Sequence, residues 1–144
     1  MIEILIEAAR RNVLTVVLEG EFELEDAQQN FLAIVAAIEK HDSEKILVDG
    51  RAIHGDPTII ERFYYGEFVA EAVRALKERY GNLINYKFAY VLHEPTLDPL
   101  RFGETVAVNR HMYVKTFDNL DDAGEWLRLK PGETEDFREE GVIH

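Results

Sequence analysis

Apolar residues alternate with acids at the start of the chain, where Ile2, Ile4 and Ile6 stand against Glu3 and Glu7, and a β-branched run follows from Val13 to Phe22. A period of two belongs to a half-buried strand. With Arg10-Arg11-Asn12 as turn material between the runs, the pattern predicts an N-terminal β-hairpin. The period then changes. From Asp26 to Lys40, Ala27, Phe31, Ile34, Val35 and Ile38 recur at spacings of three and four. That is the stripe of an amphipathic helix laid on a sheet, and His41-Asp42-Ser43 closes it.

Ile46-Leu47-Val48 is an uninterrupted apolar run ending in Asp49-Gly50, the pattern of a strand covered on both faces. Thr58-Ile59-Ile60-Glu61 has the form of a capping box, in which the hydroxyl accepts from the amide three residues on and the acid reaches back. The helix it opens runs to about Tyr80, where Gly81 stops it. Phe88 to Leu92 reads as another buried strand. Asp98-Pro99 opens a third helix through Phe102, Val106 and Ala107 to about Arg110, and Tyr113 to Phe117 is the next strand. Asp118 is expected to cap a last helix, with Asp121 and Asp122 in its first turn, where the dipole favours acids. Leu120, Ala123 and Leu127 face inward there, near Trp126. Strands alternating with helices imply right-handed parallel crossovers. The expected fold class is therefore α/β: an N-terminal hairpin, then βα repeats, in a mixed, mostly parallel sheet of about five strands packed with about four helices. One domain is expected over residues 1–130, followed by an acidic segment, 131–144.

Composition narrows the function classes. The chain has 144 residues, 47% of them hydrophobic, enough for one domain with a proper core. It has no cysteine, which excludes a disulfide framework, a thiolate zinc site and a cysteine nucleophile, and favours a reducing compartment. The start has no basic segment or long apolar stretch, and acids interrupt every apolar run well before the roughly 20 residues a membrane span needs. A cytoplasmic protein without membrane insertion is expected. The formal charge of −12 opposes nucleic acid and anionic bilayers. It serves solubility and would welcome a basic partner surface. The segment from Gly132 to His144, rich in acids and poor in apolar anchors, is expected to be a disordered tail or an arm packed on a partner subunit.

The element order, in a chain of this size, resembles the STAS domain of anti-sigma-factor antagonists. Ile46-Leu47-Val48-Asp49, followed by the loop to Gly55-Asp56-Pro57-Thr58, looks like that family's strand-loop-helix segment, where an apolar strand ending in Asp precedes Asp-Ser-Ser-Gly at the head of the next helix. The stretch Val114-Lys115-Thr116-Phe117-Asp118 through Ala123-Gly124-Glu125-Trp126-Leu127 is similar to the ending of SpoIIAA-like proteins grouped as STAS/SEC14 domains. The resemblance spans roughly residues 1 to 129. It implies a non-catalytic regulatory module that binds a protein partner. In phosphorylated members a loop serine is modified by a partner kinase, which loosens the complex. Asp56 matches the family's acid, Pro57 falls where the modified serine would be, and Thr58 matches the second serine. Gly55, Asp56 and Thr58 are thus switch-loop candidates. A phosphate on Thr58 would sit at a helix N-terminus, which favours anions. The plainer role for Thr58 is an N-cap.

In open parallel sheets, ligands tend to sit beyond the carboxyl ends of the strands. Asp49, Arg51, His54 and Asp56, with His93 and Glu94, mark those ends here and are ligand-pocket candidates. Two imidazoles and three carboxylates also suit a metal or acid-base chemistry. Each has a plain reading as turn or loop material as well. No His-Glu-x-x-His, nucleophile elbow or glycine-rich phosphate loop is present, so no catalytic residue, metal or cofactor is expected. Arg101 and Arg110 flank the third helix and could hold an anion, a carboxylate of a neighbouring subunit, or acids nearby.

The second helix is the most informative stretch. At about 100° per residue, Tyr65, Val69, Ala72, Val73, Leu76 and Tyr80 form one stripe, enough to pack it on the sheet. Ile60, Phe63 and Tyr64 lie off that stripe, with Phe68 on its border. Such a cluster is buried by a neighbouring loop or the third helix, by a homodimer or docking partner, or around a small apolar pocket. The leading expectation is a regulatory or protein-interaction module, a homodimer acting through this face and the Gly55-to-Thr58 loop. The alternatives are a binder of a small lipid-like or nucleotide ligand, and a metal-assisted hydrolase using His54, His93 and the nearby carboxylates.

Overall fold

The structure, a computed structural model, describes residues 1–10, 12–98 and 102–129. Arg11 of the hairpin turn, Pro99, Arg101 and the acidic segment 131–144 lie outside the described residues. The chain order is β1 (Ile2–Arg10), β2 (Val13–Glu21), α1 (Leu24–His41), β3 (Lys45–His54), α2 (Ile59–Tyr80), β4 (Lys87–Val91), α3 (Phe102–Asn109), β5 (Tyr113–Phe117) and α4 (Leu120–Leu127). The strands lie side by side in sequence order, β1-β2-β3-β4-β5. β1 is antiparallel to β2 and every later pair is parallel. The mixed sheet expected from the alternation of elements is therefore present.

Because the strands step in one direction across the sheet, crossovers of one hand place α1, α2 and α3 on the same face. There Leu14, Val16, Ile46, Val48, Phe88 and Tyr90 of the sheet meet Phe31, Ile34 and Ile38 of α1 and Val69, Val73 and Leu76 of α2. The rings of Phe31 and Phe88 pack at 5.6 Å. α4 takes the opposite face, where Leu120, Ala123 and Leu127 cover Leu47, Ala89 and Val91. Lys87 anchors this layer: its Nζ donates to the Trp126 carbonyl at 2.9 Å and stands 4.6 Å from the Trp126 ring centre. A cation at the C-terminal end of α4 complements the helix dipole. Desolvation, with Arg128 and Lys45 nearby, holds the Lys87 amine below the usual lysine range.

Several expectations need correction. α1 starts at Leu24, two residues before Asp26, with Glu25 and Asp26 in its first turn. The cap of α4 is Asn119, whose Oδ1 accepts from the Asp122 amide at 2.9 Å, while Asp118 accepts from the Asn119 side chain. Asp49-Gly50 does not end its strand. Pairing with β4 stops at Asp49 opposite Val91, but pairing with β2 continues to His54 opposite Glu21. Between Asp49 and Ala52 the β2 register skips a residue. This bulge reverses the faces, so that Ile53 joins the same core as Ile46 and Val48.

The buried stripe of α2 is also turned. Gly66 and Ala70 are buried with Val69, Val73 and Leu76, whereas Tyr80 is 53% exposed. α2 is packed from two sides, by α1 and by α3, and the second contact draws the Gly66 face inward. Among the described residues, no helix is long and apolar enough to cross a membrane.

Candidate functional site

The carboxyl ends of β3 and β4 are where the predicted site residues should meet, and the geometry separates them. Asp49 is 4% exposed and already engaged by its neighbour. Its Oδ1 accepts from the Arg51 amide at 3.1 Å and from Nε at 2.9 Å, and its Oδ2 accepts from the guanidinium at 2.8 Å. The hydrogen bond to Asp49 is the main reason the Arg51 pKa is raised, against the opposing effect of burial. His54, His93 and Glu94 are exposed. Among the described residues, no three His, Asp or Glu side chains stand close enough to hold a metal ion. The polar cluster read from the strand ends is thus an internal ion pair and separate surface groups. Arg110 is elsewhere, on the α2–α3 surface, 2.8 Å from Glu67 with its guanidinium 5.7 Å from the Phe63 ring centre. Arg101 lies outside the described residues.

A different arrangement organises this end of the molecule. The capping box is present as the sequence predicts: Thr58 Oγ1 accepts from the Glu61 amide at 3.1 Å, and the Thr58 amide donates to Glu61 at 2.8 Å. One residue further, Arg62 reaches back over the loops. Its Nε donates to the Pro57 carbonyl at 3.1 Å, and its terminal nitrogens donate to the carbonyls of Thr96 at 2.8 Å and Pro95 at 2.9 Å. A longer contact, 3.4 Å, reaches Asp56. Thr96 returns the link, with its hydroxyl directed at the carbonyls of Gly55 at 2.9 Å and Ile53 at 3.3 Å. The loops after β3 and β4 are thereby pinned together. Gly55 is at φ +128°, and a Cβ there would come 3.2 Å from Phe22. A side chain would strain both backbone and packing.

The off-stripe cluster of α2 is divided. Phe68 packs against the core and Phe63 is half-buried beneath Arg110. Ile59, Ile60 and Tyr64 stay 69%, 65% and 51% exposed, directly beside the pinned loop.

Beneath those loops, α1, α2, α3 and the inner face of the sheet line a partly open apolar cavity of about 120 Å³. Tyr65 and Tyr90 both line it, and their hydroxyls are 2.8 Å apart. Desolvation pushes the Tyr65 phenol up to about 12 and the Tyr90 phenol well above the usual range. Both are therefore neutral donors at ordinary pH. Glu104 of α3 also lines the cavity, its Oε1 accepting from the Thr116 amide at 2.6 Å and hydroxyl at 3.0 Å. Sequence reasoning missed Arg62, Thr96, the tyrosine pair and Glu104. The one available signal was Arg62, a lone cation among Ile59, Ile60, Phe63, Tyr64 and Tyr65.

This architecture has solved counterparts. The chain is similar to the crystal structure of an anti-sigma factor antagonist from Mycobacterium paratuberculosis, with a TM-score of 0.52 at 19% identity over 89% of this chain and 95% of that one. It is also similar to the anti-sigma factor antagonist SpoIIAA in its unphosphorylated form, with a TM-score of 0.55 at 12% identity over 89% of this chain and 99% of that one. No protein-family model matches the sequence, and no curated protein matches it. At these identities the likeness is one of fold. The fold is thus a STAS-like mixed α/β one, with the SpoIIAA-like arrangement of strands and helices.

Proposed function

We propose that this chain is a non-catalytic regulatory module, a cytoplasmic homodimer that also docks a protein partner through the 55–58 loop and the first turns of α2. The observation that carries the reading is the exposure of Ile59, Ile60 and Tyr64 beside a loop that Arg62 and Thr96 hold in place. Exposed aromatic and aliphatic residues on a rigid support suit an interface core. The net charge of −12 suits a basic partner. Both structural neighbours are anti-sigma factor antagonists, which supports a partner of the anti-sigma factor kind. Thr58 is the hydroxyl of the loop, exposed and acting as the cap of α2. It is the position where a phosphate would alter the docking face.

The test pairs light scattering with affinity capture from the native host, comparing the wild type with Ile60→Glu and Tyr64→Glu. Both substitutions sit on exposed positions, so melting temperatures should stay near the wild-type value. The expected result is loss of the dimer, of the captured partner, or of both. Unchanged mass and an unchanged partner in both variants would overturn the reading.

A further inference from the structure

The cavity beneath the pinned loops contains an unused donor. Tyr90 is 6% exposed, and the Tyr65 hydroxyl is enclosed although part of that residue reaches the surface. Two facing hydroxyls hold two protons, and the bond between them uses one. Among the described residues, neither hydroxyl has a second partner. A buried donor left unpaired costs about 1–3 kcal/mol, and both tyrosines line the same pocket as Ile34, Val69 and Leu97. A void of about 120 Å³ approaches the roughly 150 Å³ of an engineered cavity that binds benzene.

The charges on the wall decide what kind of molecule fits. Arg62 borders the cavity, but its guanidinium is spent on three main-chain carbonyls and Asp56. Glu104 presents a carboxylate, and Asp98 is a second acid on the lining. An anion entering here would meet that like charge, and among the described lining residues there is no cation besides Arg62 to offset its desolvation. Nucleotides and fatty-acid anions are therefore disfavoured.

We propose that the cavity between α1, α2, α3 and the sheet binds a small neutral molecule, cyclic or short-chain, whose single hydrogen-bond acceptor takes the leftover proton of the Tyr65–Tyr90 pair. The apolar body fills the space against Val69 and Ile34, and the acceptor faces the hydroxyls. Pro57, Arg62 and Thr96 line the cavity and also build the loop pin, so an occupant touches the same residues that hold the docking loop.

The test is a methyl-detected NMR titration of the full chain with three probes of similar size: cyclopentanone, cyclopentane and butyrate. Cyclopentanone should shift the Ile34, Val69 and Leu97 methyls saturably and bind about 3- to 10-fold more tightly than cyclopentane, the value of one net hydrogen bond. Butyrate should bind more weakly than either. In the double variant Tyr65→Phe/Tyr90→Phe both partners become apolar groups of the same shape, a change that can be nearly neutral for stability. That variant should keep cyclopentane binding and lose the preference for the ketone. The proposal is overturned if cyclopentanone gives no saturable shift in the wild type. It is equally overturned if butyrate binds as well as the ketone, or if the preference survives in the double variant.

Discussion

The Arg62 guanidinium donates to the Thr96 carbonyl at 2.8 Å, and the Thr96 hydroxyl turns back toward the Gly55 carbonyl at 2.9 Å. Two loops from different strands, 41 residues apart at the Thr96–Gly55 bond, are thereby joined to each other and to the head of α2. Arg62 is 13% exposed at its side chain, so these bonds are partly shielded from competing water. Charge-assisted bonds of this kind contribute about 1.5–3 kcal/mol each, and much more is lost when buried carbonyls are left unpaired than when both partners go. Arg62→Met is expected to lower unfolding stability by about 2–3 kcal/mol and to speed amide exchange in residues 55–58 and 93–98. Arg62→Lys should recover little of this, because an ammonium lacks the planar fork that serves several carbonyls at once. A denaturant midpoint unchanged in Arg62→Met would remove the pin from the account.

Gly66 sits where α2 crosses α3, and a Cβ added there would stand 2.7 Å from the Gly103 carbonyl oxygen and 3.1 Å from Val106. In an unobstructed helix, alanine in place of glycine gains roughly 1 kcal/mol. Here the obstacle is main chain, which cannot rotate aside, and overpacking of that kind costs about 1–3 kcal/mol. Gly66→Ala should therefore destabilise by about 1–2 kcal/mol in a urea titration. A stabilised variant would show that α3 is free to shift away.

The buried tyrosine pair gives a pH signature. Desolvation raises both phenols, Tyr65 to about 12. A group whose folded pKa lies above its unfolded value near 10 binds its proton more tightly when folded. Its contribution is full below about pH 10 and is lost as pH rises toward the folded values. Of the six tyrosines, Tyr65 and Tyr90 should ionise only as the chain unfolds. Phenolate absorbance and circular dichroism recorded together should show a late ionisation phase coincident with loss of structure. Ionisation of all six before unfolding would contradict the enclosure of the pair.

Local signals were legible in the sequence where one element contains the whole interaction. Thr58 and Glu61 are three residues apart, and their capping box forms as written. The order of elements, the antiparallel first strand and the inward face of α4 follow from periodicity in the same way. The candidate site was less legible because its bonds span distant segments. Asp49 read as a strand end, since only pairing with β2 reveals that β3 continues to His54. Tyr65 and Tyr90 are 25 residues apart and meet only once α2 lies on the sheet. Arg62 has no reading from periodicity alone, because its acceptors are supplied by two loops.

The register of the hairpin places Glu3 opposite Glu19, both exposed, on the face that α4 leaves open toward β1. Like charges across a ladder weaken a pair slightly, and β1 is also the sheet's outer edge. A strand from another copy seeking to extend the sheet there would add its own backbone to a row already carrying negative charge, next to a chain whose overall balance is −12. Acid-lined margins of this sort guard against runaway stacking into fibrils. Growth by strand addition is thus penalised at β1.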